Sequence, residues 1–140
     1  MMGFVLLAQA ELTRGANDLT VIDSETKLEW QDSYAEDKFT NLSYRNAITE
    51  CEGLKLDGKE DWRLPNINEL KSIVVDTQYE PSINSEIFKK ISSSFYWSST
   101  SRSAGSQDKW VISFSNANTS FGRDHYHYSK NQAYRCVRNY

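Results

Sequence analysis

Cations, aromatic rings and amide or hydroxyl groups are most densely mixed in Arg123-Asp124-His125-Tyr126-His127-Tyr128-Ser129-Lys130-Asn131. That mixture has a binding chemistry. Tyrosine rings stack on the apolar faces of sugars, while Arg, Lys and His pair with sulfate or carboxylate. The same residues also fit a solvated loop whose tyrosines pack at the edge of a core. His125 and His127 alternate, so on a strand they share one face, which suits a transition metal. Zinc takes three or four ligands and only two are offered, so the pair reads as loop histidines and no metal is expected.

Other chemistries find less to work with. No Ser-His-Asp grouping is suggested by spacing, and no Gly-rich phosphate loop is present. Glu25, Glu29 and Asp32 form a nominal carboxylate cluster, but a solvated hairpin face accounts for them better. So little of an active site can be assembled that no catalytic residue, no cofactor and no enzyme activity are expected. The 16 basic and 19 acidic residues leave a formal charge of −3, which gives no global reason to expect nucleic acid or an anionic membrane. No stretch approaches the length of a membrane span.

The elements that must position any site are organised around Asp61-Trp62-Arg63-Leu64-Pro65-Asn66-Ile67-Asn68-Glu69-Leu70. Trp62 supplies a large apolar plate, and Pro65 pushes Leu64 into an extended conformation. Asn66 stands at a helix N-cap with Glu69 three positions on, the spacing of a capping box. Leu70, Ile73 and Val74 follow at helical spacing, so a short amphipathic helix starts here. An earlier helix is expected over 43–54, capped by Ser43 or Asn41, with Ala47, Ile48, Cys51 and Leu54 on one face.

Before these helices, 11–18 reads as a polar lead-in, and Leu19–Asp23 with Leu28–Trp30 as a hairpin. Residues 32–40 read as a polar loop, and 56–60 as a turn. After the second helix, Ile83, Ile87, Phe88 and Ile91 suggest an irregular segment laid back on the core. Strands are expected at 95–100, 110–114, 119–122 and 134–138, with a Ser- and Gly-rich loop over 100–108. At 140 residues, one domain over 11–140 suffices.

Residues 1–10 carry a short apolar run, Phe4 to Leu7, followed by Ala8-Gln9-Ala10, a small-x-small cleavage pattern. They read as a signal-peptide remnant, or else as an N-terminal extension in the form of an apolar strand. The two cysteines, Cys51 and Cys136, fit one disulfide in an oxidising compartment, or two buried thiols in a reducing one.

Four motifs then occur in register: Val21-Ile22-Asp23 with Leu28-Glu29-Trp30-Gln31; Asp61-Trp62-Arg63-Leu64-Pro65-Asn66 with Glu69-Leu70; Tyr96-Trp97-Ser98-Ser99-Thr100; and Arg135-Cys136-Val137-Arg138. From Leu19 onward the chain resembles the bacterial family named for the C-terminal domain of the Legionella collagen-like adhesin, long catalogued as a domain of unknown function. The resemblance implies an α+β, C-type-lectin-like fold, related to the sulfatase-modifying enzymes, with two short helices around twisted antiparallel sheets. It implies export to the periplasm or beyond, and a Cys51–Cys136 disulfide tying the first helix to the last strand. The adhesin member is trimeric and binds sulfated polysaccharides, so a homotrimer is a further implication. The sulfatase-modifying enzymes need reactive cysteines outside any structural bridge, and none remains here.

The calcium motifs of sugar-binding C-type lectins are also missing. Glu80-Pro81-Ser82 lacks the asparagine, and Trp110 is followed by Val111-Ile112 rather than oxygen donors. Trp30, Trp62, Arg63, Pro65, Trp97 and Trp110 read as fold residues. The implied fold makes the 100–108 loop a neighbour of 123–131. Arg102 and Lys109 then join Arg123, His125, Tyr126, His127, Tyr128 and Lys130 in one ligand surface. The expected function is a calcium-independent, non-catalytic module for adhesion to a glycan or acidic polysaccharide. The alternative is protein–protein assembly through the same Tyr-rich loop.

Overall fold

The junction around Trp62 is fastened to both halves of the molecule. A computed structural model describes residues 11–123 and 131–140 of the chain. The strands are β1 (Leu12–Arg14), β2 (Thr20–Asp23), β3 (Leu28–Gln31), β4 (Phe95–Ser101), β5 (Asp108–Ser113), β6 (Thr119–Arg123) and β7 (Val137–Asn139). The helices are α1 (Tyr44–Glu52) and α2 (Ile67–Ser72). The protein is α+β, with a four-stranded sheet ordered β1-β2-β3-β7 and a three-stranded sheet ordered β4-β5-β6, both antiparallel.

Arg63 exchanges backbone hydrogen bonds with Val137 at 2.9 and 2.8 Å, which joins the junction to β7. Two residues on, the Pro65 carbonyl accepts the Ser99 N–H at 2.8 Å, which joins it to β4. The capping box forms as its spacing predicts. Asn66 Oδ1 accepts the Glu69 N–H at 2.8 Å, and Glu69 Oε1 accepts the Asn66 N–H at 2.9 Å. Glu69 also receives both terminal nitrogens of Arg63 at 2.7 Å, a two-pronged pair that fixes the helix start against the segment bridged to β7. Burial pushes the Glu69 carboxyl up, but the Arg63 and Asn66 hydrogen bonds outweigh it and hold the group below its ordinary value.

Helix α1 is capped by Ser43, whose side chain accepts the Asn46 N–H at 3.2 Å. Tyr44, Ala47 and Cys51 are its buried residues, at the spacing that makes one inward face. It ends at Glu52, short of the expected 54, because Gly53 closes it with an N–H bond to the Thr49 carbonyl. The turn that follows is a tight hairpin. Asp57 (φ 52°) and Gly58 (φ 74°) occupy the left-handed positions of a two-residue loop between bridged Leu56 and Lys59.

Two apolar cores flank the three-stranded sheet. Tyr96, Ile112 and Phe114 belong to one, with Val21, Trp30, Leu70, Ile73, Ile83 and Phe88. Trp97 and Val111 belong to the other, with Tyr34, Ala47, Cys51, Trp62, Tyr134 and Cys136. Neighbours on β4 and β5 therefore face opposite cores, as strand alternation requires. Within the second core the Cys51–Cys136 disulfide joins α1 to the residue before β7, with Cα atoms 5.4 Å apart.

Three expectations are corrected here. Part of the 11–18 lead-in is strand β1, registered Leu12 to Asp23 and Arg14 to Val21. The expected 134–138 strand is regular only over Val137–Asn139. Glu29 and Asp32 are not on a solvated hairpin face: both are buried, and Asp32 does not sit in an open loop. Glu29 accepts from Thr20 Oγ1 at 2.7 Å and from Arg138 at 2.6 Å, while Asp32 pairs with Arg135 at 3.0 Å. Arginines from the far end of the chain give these carboxylates the partners that burial demands.

Candidate functional site

Arg102 and Lys109 leave opposite faces of the three-stranded sheet. Trp110 pairs with Phe121 across β5 and β6, and their rings meet at 4.0 Å between centroids. The Arg102 guanidinium lies over the Phe121 ring at 4.5 Å. Trp110 packs against the Tyr96–Phe114 core, so this ladder of cation, ring and ring is on that side. Lys109 pairs with Gly122, and its ammonium lies 4.9 Å over the Tyr44 ring, on the Trp97 side. The expected single surface holding both cations therefore divides into two at β5.

The two cations are also differently engaged. Lys109 Nζ donates to Ser101 Oγ at 2.7 Å in addition to its contact with Tyr44. The Arg102 side chain is 57% exposed, and its ion pair with Asp108 is long at 3.8 Å. Phe121 beneath it is 38% exposed, one of the few large apolar side chains at the surface among the described residues. A guanidinium over a half-open aromatic ring presents donors for an anionic group beside a face for apolar C–H groups.

Of the other expected site residues, Arg123 ends β6, with its backbone paired to Asp108. His125, Tyr126, His127, Tyr128 and Lys130 lie outside the described residues. Among the described residues no group of three His, Cys, Asp or Glu is placed to hold a metal ion.

Phe121, half-open at the surface, and Tyr44, buried in α1, are the aromatic partners of these cations that the sequence reading did not name. The signal for Phe121 was the alternation of the β5–β6 hairpin, which puts it opposite Trp110. Gly122 is a further residue on which the surface depends. A Cβ there would stand 2.3 Å from the Trp97 ring. Trp97 is fully buried and pinned by its indole N–H to the Leu42 carbonyl at 2.8 Å, so it has little room to retreat. Gly122→Ala is expected to destabilise the protein by about 1–3 kcal/mol, read as a lowered urea midpoint. An unchanged midpoint would mean that the ring does not rest on β6.

The sequence model of the Lcl C-terminal domain matches residues 19–138. The chain belongs to the Lcl C-terminal domain family. No curated protein matches it. In this Lcl C-terminal domain, the Trp62 junction and the motif around Trp97 serve the fold. Trp62 donates its indole N–H to the Lys59 carbonyl at 3.1 Å, and Arg63 reaches Asn139 at 2.7 Å. Family membership accordingly carries architecture further than activity.

Proposed function

We propose that this domain is a non-catalytic, calcium-independent binding module for a glycan or acidic polysaccharide, with a C-type-lectin-like fold. The exposed Arg102–Phe121–Trp110 ladder carries the reading, because it couples an unsaturated fork of donors to a ring face. Recognition is local, since the chain as a whole is acidic. Arg123 ends β6, and His125, Tyr126, His127, Tyr128 and Lys130, which follow it in sequence, are the further contributors that we propose. Lys109, on the other face, is a lesser contributor. Export fits the presence of a buried disulfide, which persists in oxidising compartments.

A glycan array read across a salt series, with and without chelator, tests this. Binding to uronate- or sulfate-bearing glycans should weaken with salt and ignore chelator. Arg102→Ala should cost about tenfold or more, the usual scale for a charge-assisted hydrogen bond. Binding that vanishes with chelator, or that survives Arg102→Ala and Phe121→Ala unchanged, would overturn the reading.

A further inference from the structure

We propose that the cleft between residues 80–93 and the 114–115 turn binds a small primary amine carried on a short apolar body. The cleft holds about 510 Å³, within the range of small-molecule sites. Pro81, Ile91 and Phe114 are the apolar part of its lining. Ser85, Ser92, Ser93 and Ser115 are its polar residues, and Glu80 is its single charged one. β5 runs from Asp108 to Ser113, so the cleft lies about 20 Å along the sheet from the Arg102 end. It is a second site, independent of the glycan surface.

The charge of the lining selects the ligand. A lone carboxylate with hydroxyl acceptors repels anions and complements a cation. The cation is organic. A hard metal ion takes six or more oxygens, and no group of three candidate ligands is placed for a metal among the described residues. An ammonium has three N–H donors, for which Glu80 and the lining serines are the acceptors at hand, while Pro81, Ile91 and Phe114 suit an alkyl or aryl chain.

The backbone of Glu80 is fixed against the 114–115 turn. Glu80 sits at φ 51°, in the left-handed region that residues with a side chain seldom occupy. Its N–H donates to the Ser115 carbonyl at 2.6 Å, while Ser82 donates its own N–H to the Phe114 carbonyl at 2.5 Å. Among the described residues, no basic side chain lies within ion-pair distance of the Glu80 carboxylate.

Amide chemical shifts of the full chain, followed by NMR at fixed ionic strength, test the proposal with n-butylammonium, n-butanol and butyrate. Butylammonium should shift Ser92, Ser93 and Ser115 saturably, whereas butanol and butyrate should not. Glu80→Gln should weaken the response about tenfold while leaving shifts elsewhere intact. Equal shifts from butanol, no shift from butylammonium, or full binding by Glu80→Gln would overturn it. None of these results bears on the Arg102 surface.

Discussion

Asp32→Ala is expected to cost about 3–5 kcal/mol, the scale seen when one partner of a buried ion pair is removed. The Asp32 and Arg135 side chains are both 0% exposed and meet at 3.0 Å. Asp32 also receives Arg14 and the backbone N–H groups of Lys89 and Lys90, at 2.8 and 3.0 Å for the two amides. It therefore ties β1, the segment after β3, the 89–90 backbone and the approach to β7 at one point. Without it, Arg135 keeps the Gln31 carbonyl at 2.5 Å, the Lys90 carbonyl, and the rings of Phe88 and Tyr96. Those neighbours are neutral, so a full charge remains buried without a counter-ion. The loss is a large fraction of the ~5–15 kcal/mol that holds an ordinary domain together. Urea unfolding of the wild type, Asp32→Ala, Arg135→Met and the double variant measures it. The double variant should cost less than the two singles summed, by about 1 kcal/mol or more. Additive losses, or an Asp32→Ala cost below about 1 kcal/mol, would mean that water reaches the pair.

This hub marks where sequence reading stopped. Local features were legible because their partners are local: the Asn66–Glu69 capping box spans three residues, and the Asp57-Gly58 turn needs only its own dihedrals. The face of α1 and the alternation of Trp110, Ile112 and Phe114 were equally plain, since each follows from the period of its element. Asp32 and Glu29 looked like solvent-facing acids because nothing nearby in sequence neutralises them. Their partners Arg135 and Arg138 lie 103 and 109 residues away. No periodicity links such positions; only the pairing of β3 with β7 does. Strand β1 was missed for a related reason. Its three residues carry no pattern of their own and are held as an edge by β2.

The faces that Arg102 and Lys109 take were not legible for a different reason. The two residues flank one loop, and the implied fold placed that loop beside 123–131 without saying which side of the sheet each would take. Lys109 lies inside β5, where its side is set by register with Gly122. Arg102 lies past the end of β4, beyond a register shift between Trp97 and Ser101 that re-aims the chain. Alternation predicts sides within a strand and is silent across a bulge, so the division of the two cations could not be read in advance.

Replacing Cys51 and Cys136 together by alanine is expected to lower stability by about 4–5 kcal/mol, an upper figure in the chain-entropy picture of a cross-link. The bond closes a loop with a sequence separation of 85, which restricts the unfolded chain from α1 to the last strand. For a protein of this length the loss corresponds to a melting temperature lower by about 15 °C. Both sulfurs lie in a core with Trp62, Trp97 and Tyr134, so their removal also leaves unfilled volume. That second contribution separates two routes to the same broken bond. Reduction keeps the sulfur atoms and their packing, whereas the double alanine variant loses them. The reduced wild type should therefore unfold at a urea concentration between those of the oxidised protein and the alanine variant. Since both cysteines are 0% exposed, reductant should act slowly on the native protein and quickly once urea opens it. Alkylation of oxidant-exposed protein in denaturant without reductant, followed by mass measurement, gives the decisive control. Two alkylated thiols would show that the helix and the final strand are held by packing alone, and the predicted stability order would collapse.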